Sequence, residues 1–195
     1  SEMCIRDSSQ TVRYDPSLDI EHMSEVYNPS DDSYLLLRHV QISPGQTLLD
    51  MGCGTGLIGI HAAKAGAEVI AADVNPHAVE CTRRNAVRNN LRIKTIESNL
   101  FEKIHGNFDV IAFNPPYLPD CSKTTSWVER AWSGGSEGTD IILEFMDEAW
   151  KHLSPGGQIV LILSSMGGLL KVLRAAKERY TTELLEEKHM FFESI

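Results

Sequence analysis

The tetrapeptide Asn114-Pro115-Pro116-Tyr117 is a stretch whose residue types could do chemistry together. Its two prolines fix φ and remove two backbone N–H groups, so the backbone is stiff and presents carbonyl oxygens without competing donors. The Asn114 side-chain oxygen and the Pro115 carbonyl could accept both hydrogens of a planar NH2 group, while the Tyr117 ring stacks on its face. This pattern predicts a pocket for an amide or for the amino group of a nucleobase, although Asn-Pro is also a common turn dipeptide.

A glycine-rich turn follows Asp50 further upstream. Gly52, Gly54 and Gly56 would let the backbone approach a ligand closely, and the start of the following helix favours an electron-rich group. Gly54, Gly56 and Gly59 also match the G-x-G-x-x-G fingerprint of dinucleotide-binding enzymes, so a nicotinamide cofactor is one interpretation. An ionised Asp50 before the first glycine would repel a pyrophosphate and attract an ammonium group, which favours a cofactor with a methionine moiety.

Two more polar side chains stand where later strands are expected to end. Asp73 could accept hydrogen bonds from both hydroxyls of a ribose, or it could serve as the N-cap of the next helix. Asn99 places an amide where an adenine edge would lie, with Leu100 and Phe101 as apolar cover. These residues predict a site for the nucleoside part of a cofactor.

A parallel sheet would bring these side chains together, because the carboxyl ends of its strands meet at one edge. Short apolar runs alternate with helical periods in the order that such a sheet requires. The predicted strands are Thr47–Met51, Glu68–Ala72, Ile93–Glu97, Phe108–Phe113 and Gln158–Leu163. The predicted helices are Leu57–Ala65, Pro76–Asn89 with Asn75 as N-cap, a helix that Thr139 caps and Pro155-Gly156-Gly157 ends, and Leu169–Tyr180. The sequence therefore predicts an α/β fold with a Rossmann-like, doubly wound, mostly parallel sheet.

The N-terminal part of the chain precedes this pattern. Residues 1–10 are polar and patternless, and we expect a disordered tail before a single domain that covers residues 11–195. Asp15-Pro16-Ser17 predicts a turn, and the flanking segments Thr11–Tyr14 and Asp19–His22 would then form a small hairpin.

Two other segments carry local signals. Ser30 or Asp31 is expected to cap a helix that ends near Val40. The irregular stretch Leu118–Gly138 is about 20 residues long, and a loop of that length in a compact domain is either functional, such as a lid, or hides an element.

Composition narrows the range of partners. The net charge of -9 argues against stable docking on nucleic acid, because phosphate contacts need clustered Lys and Arg. The largest basic group is interpreted as a solvated helix face and consists of Arg83, Arg84, Arg88 and Arg92. No apolar run approaches the roughly 20 residues that cross a bilayer, and no signal peptide is evident, so we expect a cytoplasmic protein. The cysteines lack metal-ligand spacing and are predicted to be free thiols, which leaves no metal site: Cys4, Cys53, Cys81 and Cys121.

Two further segments are more specific than the tetrapeptide. Val26–Ser33 resembles a Val-Tyr-x-Pro-x-Glu-Asp-Ser/Thr motif, and Ala131–Gly135 with Gly138 resembles an Ala-Trp-x-Gly-Gly segment. Together with the glycine-rich turn and the tetrapeptide, and in this order along the chain, these motifs resemble those of the class I S-adenosylmethionine-dependent methyltransferases. More narrowly, the chain is similar to the HemK (PrmC) family of glutamine methyltransferases over most of residues 26–192.

The resemblance implies a methyltransferase domain that uses S-adenosylmethionine to methylate the glutamine of the Gly-Gly-Gln loop in a peptide-chain release factor. The implied donor-binding residues are Ser33, Asp50, Gly52, Gly54, Gly56, Asp73, Asn99, Leu100 and Asn114. The implied catalytic residues are Asn114, Pro115, Pro116 and Tyr117. The short N-terminal segment is similar to the archaeal and eukaryotic branch of the family, for which a small zinc-binding activator subunit is implied as a partner.

The chain departs from the family pattern at three places. Asn99 stands where Asp is usual, and Asp31 where Glu is usual. The sequence ends near Phe191–Glu193, where the family continues into a final strand, so we expect a sheet that is incomplete at one edge. Three alternatives stay open: an amino-methyltransferase acting on an RNA or DNA base, a protein lysine methyltransferase, and a non-catalytic subunit that binds the donor.

Overall fold

The computed structural model describes residues 10–116, 126–131, 139–165 and 168–188. In chain order, the elements are β1 (Gln10–Thr11), α1 (Asp31–His39), β2 (Gln41–Ile42), β3 (Thr47–Met51), α2 (Leu57–Lys64), β4 (Glu68–Asp73), α3 (Pro76–Arg88), β5 (Ile93–Glu97), β6 (Phe108–Phe113), α4 (Trp127–Arg130), α5 (Asp140–Ala149), a 3-10 turn (Trp150–His152), β7 (Leu153–Leu161) and α6 (Leu169–Ala176).

The central sheet has five parallel strands in the order β5-β4-β3-β6-β7. The chain runs outward from β3 through β4 to β5, then returns to the other side of β3 and runs outward again through β6 to β7. The direction of winding therefore reverses between β3 and β6, where open α/β sheets bind their ligands. The predicted Rossmann-like, doubly wound parallel sheet is confirmed.

Each central strand contributes to two hydrophobic cores, because successive side chains in a strand point to opposite faces of the sheet. Leu48 packs with residues of α1 and α2 on one face, whereas Leu49 packs with residues of α5 and α6 on the other. Neither side chain is exposed to solvent. The sheet is thus covered on both faces, which accounts for the near-continuous apolar runs of its strands.

Three predicted strands are confirmed to the residue, namely β3, β5 and β6. The strand β7 begins at Leu153 instead of Gln158, and α5 ends at Ala149, so the prediction that Pro155-Gly156-Gly157 ends the helix is wrong. The backbone of Gly157 lies so close to β6 that an added Cβ would stand 2.8 Å from the Phe108 oxygen. Glycine allows this approach, and the chain joins the sheet five residues early with an irregular register between Phe108 and Val110.

The predicted N-terminal hairpin is wrong. The turn at Asp15 does form, since Leu18 N–H donates to the Asp15 carbonyl at 3.2 Å. However, β1 pairs in antiparallel fashion with β2. The chain after the turn lies along α3, where Glu21 N–H donates to Asn85 Oδ1 at 2.9 Å. The backbone of this segment thus forms a hydrogen bond with the Asn85 side chain instead of with a neighbouring strand. Residues 1–9 of the expected tail lie outside the described residues, and Gln10 belongs to β1.

The predicted helix starts are confirmed at three positions. Ser30 caps α1, where Ser30 N–H donates to Ser33 Oγ at 3.4 Å in a capping box. Asn75 caps α3 and accepts from His77 N–H at 2.9 Å. Thr139 stands at the N-cap of α5 and accepts from Leu143 N–H through its carbonyl at 2.9 Å.

The stretch expected to be irregular contains a short helix, α4, in its described part. Within residues 10–116, 126–131, 139–165 and 168–188, no helix combines the length and the apolar character that a membrane span requires. The strand β7 forms one edge of the sheet in this part of the chain, and the expectation about a final strand falls on residues outside it.

Candidate active site

A cavity of about 360 Å³ opens at the carboxyl edge of the sheet, next to the reversal between β3 and β6. A cavity of this size is suited to a small-molecule ligand. Its lining falls into two parts, which we name by their residues. The glycine-turn end comprises Gly52, Gly54, Asp73, Asn99 and Leu100, and the Asn114 end comprises Asp32, Asn114, Pro115 and Pro116.

Most of the residues predicted from the sequence meet at this cavity. Those on its lining are Gly52, Gly54, Asp73, Asn99, Leu100, Asn114, Pro115 and Pro116. Ser33, Asp50 and Gly56 are not on the lining, and Tyr117 lies outside the described residues. Residues at the ends of β3, β4, β5 and β6 thus meet at one cavity, although Asp50 does not reach it, and the binding of a ligand there stays a prediction.

The glycine-rich turn is held in place by hydrogen bonds from its own backbone. Cys53 N–H donates to the Ala72 carbonyl at 3.0 Å, and Gly54 N–H donates to Asp73 Oδ2 at 3.0 Å. Gly52 has φ +64°, and an added Cβ would lie 3.1 Å from Cε2 of Phe113. A side chain at this position would combine backbone strain with close contact to β6.

Asp73 organises the turn beneath the cavity. Its Oδ1 accepts from Asn75 N–H at 2.9 Å, while Oδ2 accepts from Gly54 N–H. Burial raises the pKa of this carboxyl above its usual value, and the two backbone donors oppose that effect. Since Asn75 is the N-cap of α3, the alternative role of Asp73 as that cap is wrong. Each oxygen can still accept a second hydrogen bond from a ligand.

Asp50 is buried behind the turn, with 3% of its surface exposed. Its Oδ2 accepts from Gly59 N–H at 2.9 Å. Burial, with a smaller contribution from the nearby charge of Asp73, raises the pKa of this carboxyl to about 8 against the opposing effect of the Gly59 hydrogen bond. In the protein without a ligand, burial therefore disfavours the ionised form of Asp50, and its ionisation beside a bound cationic group stays a prediction.

Gly56 and Ser33 support the cavity from outside its lining. A Cβ at Gly56 would lie 2.8 Å from Cγ2 of Thr82, so this glycine lets the start of α2 approach α3. The Ser33 hydroxyl lies 3.5 Å from Asn114 Nδ2. A direct contact of either residue with a cofactor stays a prediction.

Val74, Asn99 and Leu100 also lie on the lining of the cavity. Asn99 Nδ2 donates to Glu102 Oε1 at 3.2 Å, which leaves the amide oxygen to accept from a ligand. Leu100 has φ +44°, an unusual conformation for a residue other than glycine, and such strain is concentrated at functional sites. Phe101 does not line the cavity, so its expected role as cover is wrong; its ring stacks on His152 with centroids 4.6 Å apart.

The Asn114 end contains a buried polar atom that lacks a partner. Asn114 Nδ2 donates to Asp32 Oδ2 at 3.0 Å. Asn114 Oδ1 is buried and accepts no hydrogen bond within the described part of the chain. Leaving a buried carbonyl oxygen unpaired costs roughly 1–3 kcal/mol, so this atom could accept a hydrogen bond from a donor group of a ligand.

Asp32 and Tyr27 line the cavity although neither was predicted to be a site residue. Asp32 has only 2% of its surface exposed, and Tyr27 Oη donates to its Oδ1 at 3.2 Å. Burial, together with Asp32, raises the pKa of the Tyr27 hydroxyl to about 12. Both residues lie in the Val26–Ser33 motif, which was the available signal, but local spacing does not reveal that the start of α1 reaches the end of β6.

The helix α4 adds Trp127 and the following Ala131 to the lining. Trp127 N–H donates to Glu25 Oε2 at 3.3 Å, which ties the start of the helix to the segment before α1. The Ala-Trp-x-Gly-Gly segment beyond Ala131 lies outside the described residues.

Other features bear on the chemistry that the chain could perform. In the described part of the chain, no three His, Cys, Asp or Glu side chains form a metal-binding group. Cys53 and Cys81 are free thiols, as predicted, whereas Cys4 and Cys121 lie outside the described residues. In the basic group, Arg83 and Arg84 pair with Glu80, so this helix face carries compensating acidic charge.

Known proteins resemble this chain in sequence and in structure. The family model of the methyltransferase small domain matches residues 30–192. A Methanocaldococcus jannaschii protein named putative protein N5-glutamine methyltransferase is 41% identical over 156 residues, 78% of this chain and 79% of that protein. The release factor glutamine methyltransferase of Deinococcus radiodurans is 35% identical over 138 residues, 67% of this chain and 50% of that protein.

A solved structure of a methyltransferase from Pyrococcus furiosus matches with a TM-score of 0.61 and 28% identity, covering 83% of this chain and 76% of that one. The family match and the Methanocaldococcus relative both span most of the sequence. This chain therefore belongs to the methyltransferase small domain family and resembles its HemK-type members.

Proposed function

We propose that this chain is an S-adenosylmethionine-dependent methyltransferase that acts on the side-chain amide of glutamine in the Gly-Gly-Gln loop of a peptide-chain release factor. The observation that carries the proposal is Asn114 Oδ1, a buried carbonyl oxygen without a partner in the described residues, on the wall of a ligand-sized cavity. A planar NH2 group supplies the hydrogen that this oxygen lacks.

The glycine-turn end fits the methyl donor. Asp73 has acceptor capacity for ribose hydroxyls, the Asn99 oxygen can accept from an amino group, and Leu100 offers apolar cover. When bound, S-adenosylmethionine supplies an electrophilic methyl group. The glycines of the turn leave room for its amino-acid part.

The Asn114 end orients the group that receives the methyl. Asn114 Oδ1 and the Pro115 carbonyl accept the two hydrogens of the NH2 group, which fixes the plane of the amide. An amide nitrogen is a poor nucleophile, so holding it at near-attack distance accounts for most of the acceleration. As the methyl group leaves the donor sulfur for the amide nitrogen, the two carbonyl dipoles stabilise the positive charge that develops on nitrogen, and one N–H proton then leaves for solvent. Stacking by Tyr117 and a further contribution of Pro116 to the rigidity of this wall belong to the same proposal.

The choice of substrate is supported by the names of the relatives. Similar proteins are named protein N5-glutamine methyltransferase and release factor glutamine methyltransferase. The aligned part is 50% of the Deinococcus protein, so the activity of that whole protein enters here only as a proposal. The proposal also includes a cytoplasmic location, a single domain over residues 11–195 and a small zinc-binding activator subunit as partner.

Incubation with labelled donor and release factor, with and without the activator, tests the function when followed by peptide mass spectrometry. We expect one added methyl group on the glutamine of the Gly-Gly-Gln loop. A release factor with that glutamine changed to glutamate serves as the matched control and should stay unlabelled. Methylation of a lysine or of an oligonucleotide instead of the glutamine would overturn the proposal.

A further inference from the structure

Asp32 is a buried carboxylate directly behind the Asn114 end of the cavity. Its Oδ1 accepts from Ser33 N–H at 2.6 Å, Ser30 Oγ at 3.1 Å and Tyr27 Oη at 3.2 Å. Its Oδ2 accepts from Asn114 Nδ2 at 3.0 Å. Burying a carboxylate is costly unless such donors surround it, so the arrangement holds this side chain in one orientation.

The carboxylate dictates which way the Asn114 amide faces. A carboxylate can only accept hydrogen bonds, whereas the two ends of an amide differ, one donating and the other accepting. The NH2 group of Asn114 must therefore face Asp32, and its oxygen is turned away from Asp32. With the amide reversed, two oxygens would oppose each other at about 3 Å, and a donor would replace the acceptor that the substrate needs.

The neighbouring residue provides an internal comparison. Asp31 also lies in the first turn of α1, where either carboxylate interacts favourably with the helix dipole. The Asp31 side chain is 66% exposed and pairs with Lys188 at 2.7 Å on the surface. Helix stabilisation therefore does not require that Asp32 be buried, because Asp31 provides it from the surface.

We propose that Asp32 is a positioning residue for methyl transfer: it acts through Asn114 and keeps Asn114 Oδ1 available to the NH2 group of the acceptor. This inference rests on the proposed function, and it identifies a residue beyond the catalytic tetrapeptide. Asp32 thereby favours acceptors that present a hydrogen-bond donor at this atom.

Kinetics of D32N compared with D31N test the proposal. An amide at position 32 can donate to Asn114 Oδ1 and reverse the Asn114 amide, so we expect kcat to fall by about 100-fold while KM for the release factor and Kd for the donor change by less than about threefold. D31N removes the same charge from the adjacent residue and should keep the kcat of the unaltered protein.

A double-mutant cycle separates positioning from a merely structural role. If Asp32 acts through Asn114, the variant D32N/N114A should be no slower than N114A alone. The exchanged pair D32N/N114D restores one donor facing one carboxylate, so its kcat should exceed that of D32N by at least about tenfold. N114D alone places two carboxylates together, so its kcat should not recover.

A measurement without substrate covers the case in which D32N fails to fold. In the unaltered protein, the side-chain NH2 protons of Asn114 should exchange slowly with solvent, and the signal missing from N114A identifies them by NMR. Fast exchange of these protons would overturn the proposal, and so would a D32N kcat equal to that of D31N or an additive double mutant. If the unaltered protein methylates no release factor, the proposed function fails instead, which is a separate outcome.

Discussion

The two ends of the cavity differ in how far their polar groups are already paired. At the glycine-turn end, both oxygens of Asp73 accept backbone N–H groups, and Asp50 accepts one as well. At the Asn114 end, Oδ1 of Asn114 is buried without a partner in the described residues. The hydrogen bonds of these two aspartates join residues that are 2 to 19 positions apart, whereas Asp32 and Asn114 are 82 positions apart. The polar groups behind the glycine-turn end are thus paired in the protein without a ligand, whereas the proposed function requires the acceptor substrate to complete the Asn114 end.

The largest effect should come from removing the unpaired acceptor. We expect Asn114→Ala to lower kcat by at least about 1,000-fold, since both the orientation of the amide and the charge stabilisation are lost. Donor affinity, measured by calorimetry, should stay within about tenfold, because the glycine-turn end is untouched.

The matched control is Asn107→Ala, in the residue that precedes β6 at the opposite edge of the sheet, where the side chain donates to the Leu153 carbonyl at 2.9 Å. This variant should keep its kcat. Equal losses of turnover and donor affinity in Asn114→Ala would erase the distinction between the two ends.

At the glycine-rich turn we expect the reverse, namely that a substitution lowers donor affinity more than kcat. Gly52→Ala adds a Cβ at φ +64° and 3.1 Å from Phe113, and the resulting shift of the turn should weaken donor binding by about tenfold or more. Gly45 has φ +82° with no atom near its Cβ position, so Gly45→Ala controls for backbone strain alone and should bind the donor normally. Unchanged donor affinity in Gly52→Ala would show that the turn is not part of the donor site.

The raised pKa of Asp50 predicts a proton release when the donor binds. A cationic ligand favours the ionised carboxyl, and the pKa of about 8 in the free protein means that binding below pH 8 must displace a proton. Donor affinity should rise by up to about tenfold per pH unit between pH 6 and 8. Calorimetry in two buffers with different ionisation enthalpies counts the released protons, and Asp50→Asn should release none.

A further prediction concerns how stability depends on pH. The usual pKa of 3.8 is raised to about 8 in the folded protein, so folding retains a proton that the unfolded chain loses. The stabilisation is fully present below pH 3.8 and is lost as the pH rises through about 8. The contribution to the unfolding free energy should decline by at most about 1.4 kcal/mol per pH unit. Asp50→Asn should have a flatter profile in urea titrations between pH 5 and 8, and a profile parallel to that of the unaltered protein would contradict the protonation of Asp50.

Local patterns in the sequence predicted the parts that depend on neighbours along the chain. The segments of β3 and β6 are mostly apolar and have the right length for buried strands, and β5 is a short, partly exposed segment with two isoleucines; the ends of all three were correct. Their shared carboxyl edge then explains why Asp73, Asn99 and Asn114 meet. By contrast, the early start of β7 depends on close backbone approach at Gly157, which no local pattern contains.

The departures from expectation at the site have a related cause. Asp50 was expected to be ionised because its charge was judged from its place in the motif, while burial under the turn disfavours that form in the protein without a ligand. The role of Asp32 depends on α1 packing against the end of β6, a contact between distant segments. Phe101 was expected at the ligand, but it belongs to the core that includes Phe145. Burial and long-range contact decide all three, and neither can be deduced from spacing.

The buried side chain of Asn85 links the segment before α1 to the end of the glycine-rich turn. Its Nδ2 donates to the Glu21 carbonyl and to the Thr55 carbonyl, both at 2.9 Å. Partial denaturation that detaches residues 19–21 from α3 would break the contact between Asn85 and Glu21. We expect the glycine-rich turn to lose support at the same time. Ligand affinity should therefore fall at a lower denaturant concentration than the one that unfolds the sheet. Loss of binding would then report the detachment of these residues before global unfolding.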